Sequence, residues 1–342
     1  MSLERPTTAR ATLVLLVMFA AALAPAAPVL AHNGLGGATS DYLNQVTGFE
    51  GNPSGIVMRV VELGNRLEIV RTTAKDVMVL GYDGDPYLHL DAQGVAENHN
   101  SRAYYLNISR YASDLPPASA GPQATPDWVM VSTGTSVRWH DHRAHWMSAT
   151  PRADVVANPD VERVIFPANR IDMIIDGRKV TALVRVTWLP PPDKTIWLAS
   201  AAILGGLLAT ALVFAPAARR AAPSLAVLAA VAAFVGQGPG ATRAMLAIAT
   251  VAVALLGLAI RRPVVSAAAG LAAGALAATR LDVFAHELLA GVVPAVWQRI
   301  AVAAAIALAL GVVGAAAVDT LSPSQTAKPA ATVSAGDRDA HA

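Results

Sequence analysis

Hydrophobic and polar positions divide the chain into two textures that meet at Pro190-Pro191-Pro192. From residue 56 to about 188, apolar residues come in short, partly alternating runs bounded by glycine, proline, asparagine and aspartate, the pattern of strands and turns. Ile56 to Leu63 and Arg66 to Arg71 flank Gly64-Asn65, which predicts a hairpin with a two-residue connection. Val77 to Tyr82 and Tyr87 to Asp91 flank Asp83-Gly84-Asp85-Pro86, while Ile171 to Ile175 and Lys179 to Trp188 flank Asp176-Gly177. Trp128 to Ser132, Ser136 to His140 and Val161 to Phe166 complete the strand candidates, and an irregular connection runs from Leu115 to Pro126. No amphipathic helix interrupts this half, so the expected architecture is an all-β domain, a sandwich or open barrel. Residues 33 to 55 are rich in glycine and polar residues without a sustained period, and are expected to form loop or a loosely packed arm.

Beyond the triple proline the apolar runs lengthen. Residues 195–215, 224–236, 244–260, 263–279 and 300–318 predict an all-α transmembrane bundle of about five helices. Arg219, Arg220, Arg261 and Arg262 then fall in loops opposite the β domain, which the positive-inside rule makes cytoplasmic; the β domain is expected on the extracytoplasmic side of the plasma membrane. Arg243, Arg280 and Arg299 fall on the outer side. Between the last two runs, Leu281 to Gln298 carries Asp282, His286, Glu287 and Trp297. That segment reads as an interfacial helix anchored by Trp297, or as a surface whose His286 and Glu287 face the β domain and help receive an ion. The runs themselves carry no charged series that would relay ions, which argues against a pump.

The chain's ends read differently again. Arg5 and Arg10, the apolar stretch 11–23, Pro25, Pro28 and Val29-Leu30-Ala31 form the pattern of a secretory signal. The expected organisation is a signal peptide over 1–31, a β domain over 32–193, a membrane domain over 194–318 and a disordered cytoplasmic tail over 319–342.

Composition narrows the chemistry. Hydrophobic residues make up 54% of the 342 and charged residues 15%, so part of the chain belongs in lipid. A net charge of +2 gives no footprint for nucleic acid. There is no cysteine, which removes disulfides, thiolate nucleophiles and every Cys-based metal site. No Gly-x-Ser-x-Gly elbow or phosphate-binding glycine loop is present, so an enzyme is unsupported.

The concentrated signal is Trp139-His140-Asp141-His142-Arg143-Ala144-His145-Trp146-Met147, which holds three of the chain's eight histidines. If the strand from Ser136 stays extended, His140 and His142 share one face and Asp141 points the other way. His145 follows as the strand turns into a loop, and Met147 adds a soft thioether. If cleavage follows Ala31, His32 becomes the terminal residue and offers its amine and imidazole as a chelating pair. Imidazoles with an amine suit Cu(II), zinc or nickel, and a methionine favours copper, particularly Cu(I). The alternative is a hydrogen-bonded corner of the β domain with Asp141 and Arg143 paired and the tryptophans packed. Clustered imidazoles could also sense pH.

A mature chain opening on histidine resembles the periplasmic copper-resistance carriers and the secreted copper proteins with a histidine brace. The run Val129 to Trp139, with a glycine turn before Val137-Arg138-Trp139, resembles the cupredoxin sequence leading to a copper-binding histidine. These resemblances imply a cupredoxin- or immunoglobulin-like fold and a copper site of His32, His140, His142, His145 and Met147, with zinc as a second metal. A blue-copper centre needs a Cys thiolate and is excluded. The expected function is extracytoplasmic copper handling, with lipid and the metal as partners; the alternative is a cell-envelope module that docks a protein.

Overall fold

The computed structural model describes residues 39–321 except Pro216, Pro239 and Arg262. The signal segment, His32 and the tail beyond residue 321 lie outside the described residues. The strands are β1 (Thr39–Ser40), β2 (Tyr42–Glu50), β3 (Ile56–Val61), β4 (Arg66–Arg71), β5 (Val77–Leu80), β6 (Pro86–Leu90), β7 (Val95–Asn98), β8 (Trp128–Ser132), β9 (Ser136–Trp139), β10 (Arg163–Ile175), β11 (Arg178–Trp188) and β12 (Leu288–Leu289). Two short helices, α1 (Arg102–Leu106) and α2 (Ala153–Ala157), sit among them.

Seven strands form one antiparallel sheet in the order β2-β11-β10-β5-β6-β7-β8, and three form another in the order β3-β4-β9. Both sheets contribute to one core. Ile56, Met58, Leu67, Ile69 and Trp139 from the smaller sheet pack with Val77, Val79, Leu88, Leu90, Ile171, Met173 and Val184 from the larger. Each set alternates along its strand, so the faces that carry these residues are the ones removed from water.

Residues 42–50 form the strand β2, paired with β11 from Tyr42↔Trp188 to Glu50↔Thr181, where loop was expected. Its polar spacing and Gly48 hide a strand because β2 is an edge strand, half-buried along most of its length. The two strands expected at 161–166 and 171–175 are one bulged strand, β10. The connection after β3 is longer than two residues: Val61 pairs with Arg66, and a 3-10 turn over Glu62–Gly64 lies between them. Gly64 there has φ +91°, and a Cβ would fall 1.8 Å from Asn44 Nδ2. Only glycine fits this turn. The Asp176-Gly177 hairpin is as expected, with positive φ at both residues.

After the β-rich region come α3 (Lys194–Phe214), α4 (Ala222–Val235), α5 (Ala241–Ile260), α6 (Pro263–Ala278) and α7 (Ala295–Leu321). Four stretches, 194–214, 218–235, 241–260 and 295–317, are long and apolar enough to cross a membrane, and the helix over 264–278 is shorter. α7 packs against α3, α4 and α6. Glycine permits the closest approach, since a Cβ on Gly311 would lie 2.5 Å from Leu208 Cδ2.

Leu281 to Gln298 is not a surface helix. It folds as a 3-10 turn over Leu281–Phe284, then β12, then the start of α7. β12 pairs with β1 (Thr39↔Leu289, Ser40↔Leu288), so this loop is stitched to the beginning of the β-rich region. The Asp41 carboxylate faces His286 Nδ1 at 2.7 Å and accepts from the Glu287 amide at 2.7 Å. Arg299 holds the loop from below, donating to the carbonyls of Val283, His286 and Glu287 and to Glu287 Oε2.

Candidate metal centre

β9 delivers the histidines. Trp139 is paired with Leu67 and buried in the core, which fixes the height at which the strand leaves the sheet. His140 and Asp141 continue the alternation: Asp141 lies on the Trp139 side, fully buried, and accepts a hydrogen bond from Trp139 Nε1 at 3.0 Å. The chain then curls instead of staying extended. A 3-10 turn over His142–Ala144 is capped by Asp141, whose Oδ1 accepts from the Arg143 amide at 3.0 Å. Ala144 is buried at the bottom of the turn, where a larger side chain would meet the core. The turn brings His142 and His145 back beside His140, with ring centroids 4.5–5.7 Å apart.

The turn is braced by one ion pair. Arg143 reaches Asp141 through Nε at 2.9 Å and Nη2 at 2.8 Å, and donates to the carbonyls of Leu80 and Gly81. Its guanidinium lies over the Tyr82 ring, 4.9 Å from the centroid. Burial pushes the Asp141 carboxyl up, but the charge and hydrogen bonds of Arg143, with the Trp139 N–H, overcome that and hold it below the usual range. The expected Asp141–Arg143 pairing is present, and it occupies the one carboxylate within the cluster.

Each imidazole is held by a backbone carbonyl. His140 Nδ1 donates to Asn65 O at 2.6 Å, His145 Nδ1 to Trp146 O at 3.0 Å, and His142 Nε2 to Ser109 O at 2.9 Å. A carbonyl oxygen can only accept, so each of these ring nitrogens carries the proton. His142 then keeps a lone pair on Nδ1, and His140 and His145 keep theirs on Nε2. The Nε2 atoms of His140 and His145 face each other at 2.9 Å. Two neutral imidazoles thus carry two protons for three close contacts, and two lone pairs meet without a positive charge between them. Burial lowers the basicity of both, pushing His145 down to about 3 and His140 below its ordinary value.

Among the described residues, His140, His142 and His145 are the only group of three or more His, Asp or Glu side chains whose ligand atoms converge, all within 4.8 Å of one another. Around one ion with bonds near 2 Å, ligand nitrogens lie about 3.3 Å apart, a spacing bracketed by the 2.9 Å Nε2 pair and the 4.8 Å limit. An open cleft of about 500 Å³ adjoins the triad, lined by His142, His145, Trp146, Met147 and Phe166 among others. Met147 therefore lines the same cleft as His142 and His145, at the solvent edge, while His140 lies behind them. His32 lies outside the described residues.

The other histidines among the described residues are engaged elsewhere. His89 pairs with Asp76 at 2.7 Å, His99 stacks on Tyr104, and His286 is taken by Asp41. Asn65, Ser109 and Tyr82, whose hydroxyl accepts from the His142 amide at 3.1 Å, complete the site and carry no sequence signal, because two of them act through backbone carbonyls. Comparison with protein-family models, curated proteins and solved structures gave no match to this chain.

Proposed function

We propose that the protein binds a metal ion, copper before zinc, at His140, His142 and His145, in a membrane-held β domain that handles copper on the extracytoplasmic side. The observation that carries this reading is the pair of facing Nε2 lone pairs, 2.9 Å apart, with both Nδ1 protons already given to carbonyls. A cation between them removes the repulsion. Metal-bound histidines elsewhere show the same second contact, a ring N–H donated to a carbonyl or carboxylate that fixes tautomer and orientation. Imidazoles suit copper and zinc, and the thioether of Met147 on the cleft wall tilts the set toward copper. His32 with its amine stands as a further ligand in this reading, and the two sheets as a copper-carrying sandwich.

The membrane arrangement is consistent with it. β1–β12 pairing brings the loop after α6 to the side on which α3 begins, so the chain returns across the bilayer through α6 as well. At 16 residues α6 rises about 24 Å, short of a core near 30 Å, and neighbouring helices and local thinning accommodate that. Five crossings put Arg219, Arg220 and Arg261 opposite the β domain, which supports an extracytoplasmic β domain.

A second reading, a cell-envelope module that docks a protein, draws on β8. This strand is the outer edge of the larger sheet, and Trp128, Val129, Met130 and Val131 are exposed on it. The test is metal titration of the detergent-solubilised full chain by calorimetry. One equivalent of copper bound at micromolar affinity or tighter, and lost in His140→Ala with His145→Ala, supports the metal reading. Binding that is absent, or unchanged in the double variant, removes it and leaves the docking module.

A further inference from the structure

Charge around the triad bears on which ion it takes. All three ligands are neutral, and no carboxylate converges with them among the described residues. Asp141 is next in sequence, but its two oxygens are filled by Arg143 and Trp139. Two carboxylates beside the strands that hold the site are balanced as well: Glu62 pairs with Arg66, and Glu68 lies between Arg59 and Arg138. One cation is left over. Arg110 follows Ser109, whose carbonyl holds His142, and its Nη1 reaches Asn65 Oδ1 at 3.4 Å, on the residue whose carbonyl holds His140. No ion pair to Arg110 is found among the described residues.

Resting on the metal reading above, we propose that the triad is selective for a soft monovalent cation, with Cu(I) as its cargo, and discriminates against Cu(II) and Zn(II). Entering a half-buried site of neutral ligands beside an unpaired guanidinium costs a dication more than a monocation, both in lost hydration and in repulsion. A divalent ion gains more than a monovalent one from an accompanying anion, and the guanidiniums lining the cleft that could hold such an anion are already committed: Arg143 to Asp141 and Arg170 to Glu50. Imidazole and thioether donors satisfy Cu(I) at low coordination number without any anion.

The test compares ions of two charges on the full chain in detergent. Cu(I) and its redox-inert analogue Ag(I) are titrated anaerobically against a chromophoric chelator, and Zn(II) and Cu(II) against chelators suited to them. We expect Ag(I) and Cu(I) to bind one per chain at least 100-fold more tightly than Zn(II). Arg110→Glu supplies a signature of charge: because the electrostatic effect scales with ionic charge, a tenfold gain for Zn(II) should accompany only about a threefold gain for Ag(I). Arg110→Met, which keeps bulk without charge, should move both in the same direction by less. Zn(II) or Cu(II) binding as tightly as Ag(I), still lost in His140→Ala with His145→Ala, overturns the selectivity and leaves the metal site standing. If no ion of either charge depends on those histidines, the metal reading itself falls and takes the selectivity with it.

Discussion

The Asp141–Arg143 pair is the support on which the histidine turn is built, so Asp141→Asn should damage fold and site together. Asp141 is fully buried and accepts four hydrogen bonds, three from Arg143 and one from Trp139. The asparagine keeps one acceptor but loses the charge, leaving a guanidinium whose side chain is only 17% exposed without a counter-ion. Breaking a buried pair from one side costs about 3–5 kcal/mol, because the surviving charge stays desolvated. For a domain of this size that is a fall in Tm of roughly 6–20 °C. Thermal unfolding of the solubilised chain, followed by near-UV circular dichroism, reads it through the core tryptophan Trp139. Arg143→Met should cost a similar amount, while the double variant should cost clearly less than the sum, since neither buried charge is then stranded. A shift below about 2 °C in Asp141→Asn, or strict additivity in the double variant, would refute the account of the turn.

Three further outcomes follow from other parts of the structure. The hydrogen bond and charge of Asp41 raise the His286 pKa, so this contact contributes fully below the unfolded value of about 6.5 and is lost as pH rises through the higher folded value. Hydrogen-exchange protection of Ser40 and Leu288 should therefore be greater at pH 6 than at pH 8.5, with the difference abolished in His286→Gln. Gly64→Ala forces a side chain into positive φ and against Asn44, costing at least ~1–2 kcal/mol in denaturant titration and weakening metal binding through the displaced Asn65 carbonyl; unchanged stability would sink the account of this turn. In the bundle, Gly205→Val places a Cβ 2.8 Å from Leu310 Cβ and should part α3 from α7, seen as earlier loss of helical signal in detergent; an unaltered melting curve would contradict that packing.

How much of this was legible depended on what kind of atom did the work. Strands with an apolar face, such as β4 and β11, announce themselves by period, and so do the long apolar helices. β2 did not, because an edge strand carrying Asn44, Gln45 and Gly48 meets the core with only part of one face. The histidines were visible as a cluster, and Asp141–Arg143 as a pair at short spacing. Their geometry was not, since an extended strand and a 3-10 turn both fit Asp141-His142-Arg143-Ala144, and burial of Ala144 decides between them. The carbonyls of Asn65 and Ser109 were invisible, because any residue supplies a carbonyl and only the fold brings it within reach. Leu281 to Gln298 misled for the opposite reason: its mixture of polar and apolar residues suits a surface helix, yet the polar ones are spent on Asp41, Arg299 and buried backbone.

Convergence of the three imidazoles on one cation can be read from the metal itself. X-ray absorption on the copper-loaded full chain, prepared under anaerobic conditions, addresses it most directly. The expected result is one copper per chain with a first shell of nitrogen near 2 Å and outer-shell scattering from three imidazole rings, two remaining in His142→Ala. A first shell of oxygen without ring scattering, or a spectrum that His140→Ala and His145→Ala leave unaltered, would contradict it.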